Sequence, residues 1–352
     1  MSWELMSDLL RKMSELVEDF VKKESRSEGV IGIVAFGSFA RGIVQESSDV
    51  DLLVLREDVE GYSRTRQNMK GVLLEIHRWP AKMFGTPFAG GQSNVFQDAF
   101  CLAVMRDGRI IYDPKGILRR YKRYAQTHRL PLTRARSLAS KAQSSLLLAQ
   151  NLLEKGKVDG AEIEIRRAAE EVARVLLLES DILEIVSPKY YLPHLRSEFP
   201  DFYRTFCEVH NLEKIRRDVA EAAIQRVSKW LGIVVNEIRR MGKEEWLTQG
   251  GEVRGAQSEL SNARDCLENG DVEGAVLQAR HSAILLASPL LRLVEGRSAD
   301  APGKWYVKLI QNGHPYGDVF RYVMNFSRDE RRLREHIEIL REIAERYLQV
   351  GL

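Results

Sequence analysis

The chain has little cysteine and no long apolar run. Its three cysteines, Cys101, Cys207 and Cys266, lie far apart and form no Cys-x-x-Cys pair. This usage argues against a cysteine-based zinc site or a disulfide framework, and it indicates a reducing compartment. No window approaches about 18 uninterrupted apolar residues, so we expect no membrane span. Because the N-terminal stretch carries acids from its fourth residue and no cleavable apolar segment, we expect a cytoplasmic protein.

Acidic side chains are missing from one long segment of an otherwise balanced chain. The sequence has 53 Lys and Arg against 50 Asp and Glu, and its net charge of +3 is too small to imply a polyanionic partner by itself. From Pro114 through Leu153, however, there is no Asp or Glu. The basic residues of this segment are Lys115, Arg119, Arg120, Lys122, Arg123, Arg129, Arg134, Arg136 and Lys141. This basic stretch, residues 115–141, indicates a surface that faces phosphate groups, with a solvated helix face paired to acids elsewhere as an equal alternative.

The remaining composition describes a folded protein of more than one domain. The 352 residues are 44% apolar and 29% charged, which is typical of a globular chain long enough for two or three cores. Helical spacing over residues 3–21 is followed by strand patterns at about 30–36, 49–55 and 71–79, while residues 56–70 are polar and charged. Strands interspersed with helices predict a small α/β domain over residues 1–115.

The helical remainder of the chain contains an internal repeat. The stretch AQSSLLLAQNLLEKGKVDGA, residues 142–161, aligns without gaps to AQSELSNARDCLENGDVEGA, residues 256–275, with 11 of 20 positions identical and a shift of 114. Each copy predicts a helix, a glycine-containing turn and a second helix, and the second helices keep Arg166 and Arg280 in register. We therefore predict two helical bundles, over residues 116–245 and 246–352, and an α+β fold class overall.

Two aspartates interrupt an apolar strand in the segment VAFGSFARGIVQESSDVDLLVL. Asp49 and Asp51 are two residues apart, so both side chains leave one face of the strand while Val50, Leu52 and Val54 point into the core. Two carboxylates this close repel each other unless a cation lies between them. Oxygen ligands of this kind suit Mg²⁺, which completes its shell with water and substrate phosphates.

The small-residue turn before the aspartates suits a phosphate. Gly37 allows close backbone approach, and the N–H groups of its neighbours together with the Ser38 hydroxyl can donate to phosphate oxygens. Arg41 is placed for a bidentate contact with the same phosphates. These residues predict a nucleotide-binding turn beside the metal site.

A third carboxylate is expected on a neighbouring strand. In GVLLEIHRW, Leu73, Glu75 and His77 share one face, and Val72, Leu74 and Ile76 share the other. Glu75 is therefore the candidate to share the metal and to act as general base on an acceptor hydroxyl. Asp98 is interpreted as an exposed helix acid.

The segment GSFARGIVQESSDVDLLVL resembles the signature of the DNA polymerase beta-like nucleotidyltransferase superfamily, in which Gly-Ser precedes Asp-x-Asp by about ten residues. Its Gly-Ser-x-Ala-Arg-Gly motif most resembles the minimal and kanamycin nucleotidyltransferase-like branches. The resemblance implies transfer of a nucleotidyl group from an NTP with Mg²⁺, or alternatively Mn²⁺. Gly37 and Ser38 match the phosphate-binding turn, Asp49 and Asp51 match the metal pair, and Glu75 corresponds by strand position alone.

The helical part resembles the HEPN-type bundles that accompany minimal nucleotidyltransferases, and the helical domain of the kanamycin enzyme. In the kanamycin-like branch a base comes from the helical domain, which makes Glu170 and Glu171 alternatives to Glu75. The acceptor is either a small molecule such as an aminoglycoside-like alcohol, or RNA that contacts the basic stretch. A catalytically silent regulatory, antitoxin-like or RNA-binding interaction protein remains as the alternative. A second copy of the chain is a further candidate partner, in a homo-oligomer.

Overall fold

The computed structural model describes residues 3–44, 48–91, 94–248, 251–295, 304, 307–309 and 313–349. The chain divides into two compact units, residues 1–130 and 131–352. The domain boundaries expected near residues 115 and 245 stay predictions.

The N-terminal unit is a five-stranded mixed sheet with helices. Its helices are α1 (Trp3–Glu24), α2 (Gly37–Ala40), α3 (Ala81–Gly85), α4 (Val95–Asp107) and α5 (Ile117–Thr127), with a 3₁₀ turn at Thr86–Ala89. Its strands are β1 (Val30–Phe36), β2 (Val50–Arg56), β3 (Ser63–Met69), β4 (Val72–Pro80) and β5 (Arg109–Tyr112). The strand order is β3-β4-β2-β1-β5. Among the described strands, β2 and β4 run parallel and the other neighbours are antiparallel.

The core of this unit lies between α1 and one face of the sheet. Met13, Leu16, Val17 and Phe20 recur at helical spacing on α1 and are buried. They belong to one cluster with alternate residues of the central strands: Ile33, Ala35, Val50, Leu52, Val54, Val72, Leu74 and Ile76. The prediction that Val50, Leu52 and Val54 point into the core is confirmed.

Strand β3 was not predicted, because its side chains are polar and it lies at the edge of the sheet. Of its residues only Arg64 and Met69 are half-buried, so apolar alternation is absent. The strand pairs with β4 through a two-residue turn, Lys70-Gly71, in which both residues have positive φ. A turn of this type before a clear strand is a hairpin signal.

The C-terminal unit is helical. Its helices are α6 (Leu132–Glu154), α7 (Val158–Glu179), α8 (Pro188–Glu198), α9 (Pro200–Val209), α10 (Arg217–Arg240), α11 (Glu245–Thr248), α12 (Gly251–Glu268), α13 (Val272–Glu295), α14 (Tyr316–Met324) and α15 (Glu330–Leu348). The α+β fold class is therefore confirmed. In the part of the chain that the structure describes, no helix is both long and apolar enough to cross a membrane.

Two helical hairpins, α6–α7 and α12–α13, contain the two copies of the 20-residue match. Their turns have Gly156 and Gly270 at positive φ, 114 residues apart. The long helix that ends each half packs against the opposite hairpin: α15 contacts α6 and α7, and α10 contacts α12 and α13. Each half thus contributes a long helix that packs on the hairpin of the other half.

Candidate active site

Strand register brings acidic and basic side chains from three strands into one row across the sheet. Asp51 on β2 pairs with Glu75 on β4, and Glu75 pairs in turn with Arg66 on β3. On its other side Asp51 pairs with Phe36, the last residue of β1. Because side chains alternate along a strand, His77 shares the face of Glu75. The predicted placement of Glu75 beside Asp51 on an adjacent strand is therefore seen in the register.

Gly37 directly follows Phe36 in the chain, and it lies close to the Asp51 side chain. Its φ is +71°, a left-handed conformation that favours glycine. A Cβ added at Gly37 would collide with Oδ2 of Asp51. The glycine thus meets two requirements at once, backbone conformation and space for a carboxylate.

Glu75 is buried and holds two arginines of β3. Its exposure is 4%. Arg64 Nη2 donates to Glu75 Oε2 over 2.6 Å, and Arg66 Nε donates to the same oxygen over 2.7 Å. Burial opposes ionisation of Glu75, but the hydrogen bonds with His77, Arg64 and Arg66 outweigh it and hold its pKa well below the usual range. Sequence reasoning missed both arginines because they lie on the unpredicted strand β3.

His77 is fixed between a carboxylate, a phenol and aromatic rings. Its Nε2 lies 3.1 Å from Glu75 Oε1, and its Nδ1 lies 2.9 Å from the Tyr62 hydroxyl. The rings of Phe36 and Tyr62 lie at 5.2 Å and 5.9 Å from the imidazole. The same Nε2 is 3.9 Å from Asp51 Oδ1. His77 therefore links Asp51 to Glu75 at the edge of the row.

Among the described residues, one group brings potential metal-ligand atoms within 4.8 Å of one another, and it consists of Asp51, Glu75 and His77. Asp49, the other predicted ligand, is half-buried just before β2 and is not part of this group. Two carboxylates and an imidazole form a donor set that suits a divalent cation. The positive charges of Arg64 and Arg66 beside Glu75 reduce the net negative charge of the group.

The other two residues that were predicted to bind phosphate, Ser38 and Arg41, follow Gly37 in the chain. Ser38 is half-buried in α2, and its carbonyl accepts from Ile43 N over 3.0 Å. Arg41 follows α2 and is exposed.

One protein family matches the part of the chain that contains these residues. Residues 13–83 match the nucleotidyltransferase domain family. The match includes all of Gly37, Ser38, Asp49, Asp51 and Glu75, and it supports the nucleotidyltransferase superfamily for the N-terminal unit. It does not extend to the helical unit.

Among solved structures, the chain is similar to a nucleotidyltransferase-like protein from Exiguobacterium sibiricum. The identity is 13%, the alignment covers 86% of this chain and 92% of that one, and the TM-score is 0.40. No curated protein matches the chain significantly.

Three acids that the sequence singled out lie outside the nucleotidyltransferase match: Asp98, Glu170 and Glu171. Asp98 is 1% exposed in α4, so its interpretation as an exposed acid is wrong. Glu170 accepts from His281 Nε2 over 2.7 Å, and Glu171 Oε1 lies 3.4 Å from Arg174 Nη1. Burial opposes ionisation of Glu170, but the charges of His281 and Arg174 lower its pKa to about 2.

Proposed function

We propose that the N-terminal unit transfers a nucleotidyl group from an NTP to an acceptor hydroxyl. The observation that supports this most strongly is the row in which Asp51 stands between Glu75 and the Gly37 turn. A nucleotidyl transfer needs a cation next to phosphate groups, and the closeness of the Asp51 carboxylate to the turn that is proposed to bind phosphate supports this reaction. The family match over residues 13–83 supports the same reaction class.

Asp49 and Asp51 are proposed to hold Mg²⁺, with Mn²⁺ as the substitute. The donor set of Asp51, Glu75 and His77 fits a divalent cation. Because Gly37 has no side chain, nothing from this position covers Oδ2 of Asp51. When bound, the metal would neutralise charge on the triphosphate. Gly37, Ser38 and Arg41 are proposed to bind that triphosphate through backbone N–H, hydroxyl and guanidinium donors.

Glu75 is proposed to complete the metal site rather than to act as the general base. An efficient base has a pKa near the working pH, whereas the contacts of Glu75 with His77, Arg64 and Arg66 depress its pKa. Glu170 is an equally weak base for the same reason, since its pKa is lowered to about 2 beside His281 and Arg174. Instead, the Glu75 carboxylate orients His77 through a hydrogen bond and balances the positive charges of Arg64 and Arg66 on β3.

The acceptor that the N-terminal unit supports best is RNA. Helix α5 presents Arg119, Arg120 and Arg123 to solvent, and these residues line a surface depression together with Lys115 and Lys122. Arg119 is paired with Asp113, and Lys122 donates to the Gly108 carbonyl. Arg120 and Arg123 therefore carry most of the proposed phosphate contact, because a polyanion is bound through exposed cations.

The experiment that tests this function offers Mg²⁺ and each of the four α-labelled NTPs to the protein, with cell extract split into RNA and small-molecule fractions. Label retained on RNA, falling steeply as salt rises, is the expected result. Label on a small molecule would keep the reaction and replace the acceptor. Absence of label on both fractions with all four NTPs would favour the catalytically silent, regulatory alternative.

A further inference from the structure

The helical unit contains a cavity, partly open to solvent, that is lined by residues of both hairpins. Its volume is about 300 Å³, and α7 and α13 form most of its walls. Twelve of the lining residues form six pairs separated by 114 positions: Ile163 and Leu277, Arg166 and Arg280, Arg167 and His281, Glu170 and Ile284, Glu171 and Leu285, His210 and Met324. The cavity is therefore lined by like positions of the two halves, as a site on an internal two-fold axis would be.

The two central arginines are held in matching ways. Arg166 donates from Nε to the Val209 carbonyl over 3.2 Å and from Nη1 to the Met324 carbonyl over 2.5 Å. Arg280 donates from Nε to the Val323 carbonyl over 3.1 Å and from Nη1 to the His210 carbonyl over 2.5 Å.

The acceptors follow the same relation, because Val209 and Val323 are 114 residues apart, as are His210 and Met324. Each guanidinium thus bonds one carbonyl of its own half and one of the other half.

The third nitrogen distinguishes the two arginines. Arg166 Nη2 donates to Glu162, one helical turn earlier. The position equivalent to Glu162 is Val276, which is buried and apolar. Among the described residues, Arg280 Nη2 has no hydrogen-bond partner although Arg280 is 2% exposed. The second half therefore keeps the buried cation and lacks its counter-charge.

The carboxylates that line the cavity are Glu170, Glu171 and Glu259, and among the described residues none of them forms a hydrogen bond with Arg280. The charge of Glu162, outside the lining, offsets the burial of Arg280 only in part. Glu162 already accepts from Arg166, from Asn211 Nδ2 over 3.2 Å and from the Ser327 backbone N–H over 3.0 Å. Glu170 and Glu171 pair with His281 and Arg174.

Burial therefore lowers the pKa of Arg280, and the Arg166 charge lowers it further. A buried cation without a partner anion is costly, so the cavity favours an anion.

The surroundings of Arg280 add to the evidence for a ligand. Neither ring nitrogen of His210, a 2% exposed cavity residue, has a hydrogen-bond partner among the described residues. The residues equivalent to Glu170 and Glu171 are the apolar Ile284 and Leu285, and they line the cavity as well. A volume of about 300 Å³ holds roughly ten water molecules at ~30 Å³ each. The site thus suits a small molecule with a charged end and an apolar body.

We propose that this cavity binds a small organic anion, whose oxyanion group takes the place beside Arg280 that the Glu162 carboxylate takes beside Arg166. The oxyanion is a carboxylate or a phosphomonoester, and His210 supplies a second polar contact. The proposal is independent of nucleotidyl transfer, because every residue that it uses lies in the helical unit.

The test compares wild-type protein with Val276→Glu, which gives Arg280 the internal carboxylate that Arg166 has. Calorimetry with valerate and with butyl phosphate distinguishes the two oxyanions, and butylamine is the cationic control. We expect saturable binding of at least one anion to the wild type and at least tenfold weaker binding to Val276→Glu. Val272→Glu, one turn earlier on α13, adds the same charge and should leave the affinity unchanged.

A second measurement needs no variant. Histidine-selective NMR of the full chain should show His210 resonances that move saturably with the bound anion, while those of His194, which pairs with Glu184, stay fixed. Anion binding that Val276→Glu leaves unchanged, His210 resonances that do not respond, or no binding of either anion to the wild type would each overturn the proposal.

Discussion

Asp51 and Glu75 occupy the same register position on the parallel strands β2 and β4. Glu75 also bonds Arg64 and Arg66 of β3, so a cation held by Asp51 would lie next to a carboxylate that two guanidinium groups already balance. The charge of the candidate metal site therefore depends on the edge strand as much as on the aspartates. This relation leads to predictions that the sequence motif alone does not give.

Gly37→Ala should abolish most activity without unfolding the protein. The new Cβ would displace the Asp51 carboxylate, and a displacement of reacting groups by ~1 Å can cost about 100-fold in rate. Gly42→Ala is the matched control, because Gly42 also has φ +71° but a Cβ there meets nothing within 4 Å. Both variants should lose about 1–2 kcal/mol of stability from the left-handed backbone. Equal transfer rates in the two variants would remove the proposed role of Gly37.

Arg66→Gln should tighten divalent-metal binding. Removing one positive charge beside Glu75 leaves the carboxylate group more negative, and opposite charges attract more strongly. Mn²⁺ titration of the wild type and the variant measures the effect. Arg78→Gln is the control on the neighbouring strand, since Arg78 pairs with Glu24 instead. Unchanged or weaker Mn²⁺ affinity in Arg66→Gln would contradict a metal site that includes Glu75.

The Glu170–His281 pair should give the helical unit a bounded pH range of stability. The pKa of Glu170 is lowered to about 2, so its contribution is present above its ordinary value of 4.5 and is lost as pH falls below that value. Burial opposes the charge of His281, but the Glu170 carboxylate raises its pKa above 6.5, so that contribution is lost as pH rises through the raised value.

His281→Asn should therefore lower the free energy of unfolding by about 1–3 kcal/mol on the acidic side of neutrality. It should also flatten the decline on the alkaline side. Urea unfolding across the pH range measures both. His194→Asn removes a more exposed pair with Glu184 and should change little. A wild-type profile that His281→Asn leaves unchanged would show that the pair does not stabilise the unit.

Arg120→Gln/Arg123→Gln should weaken RNA labelling and its salt dependence together. Two lost phosphate contacts reduce the slope of log affinity against log salt by about 1.4 for a single strand. Arg11→Gln/Lys12→Gln on α1 is the control with the same change of charge in the same unit. If labelling of RNA falls equally in both pairs, then net charge rather than the α5 surface explains the binding.

The sequence predicted the row of acids only in part. Alternation placed Asp51 and Glu75 on faces opposite Leu52 and Leu74, because one face of each strand is buried under α1. It did not give the register between strands, which depends on pairing that the local pattern does not encode. Arg64 and Arg66 were missed because β3 is a polar edge strand, although the Lys70-Gly71 turn was a usable signal.

The helical unit shows a different limit. The 114-residue shift was visible at Arg166 and Arg280, yet the sequence did not show that their guanidinium groups bond carbonyls of both halves. Contacts of that kind join segments far apart in the chain, so helical periodicity does not reveal them. The prediction that Asp98 is exposed was wrong for a related reason. It relied on the polar side chain, whereas the position of Asp98 in α4 buries it.

The most direct test of nucleotidyl transfer is the rate at which the protein moves label from an α-labelled NTP to its acceptor with Mg²⁺ present. Asp49→Asn/Asp51→Asn is compared with Asp58→Asn, whose carboxylate pairs with Arg56 at the opposite end of β2. We predict transfer by the wild type and by Asp58→Asn, and at least a 100-fold loss in the double variant. Equal transfer by the double variant, or none by the wild type with any NTP and either acceptor fraction, would contradict the proposed function.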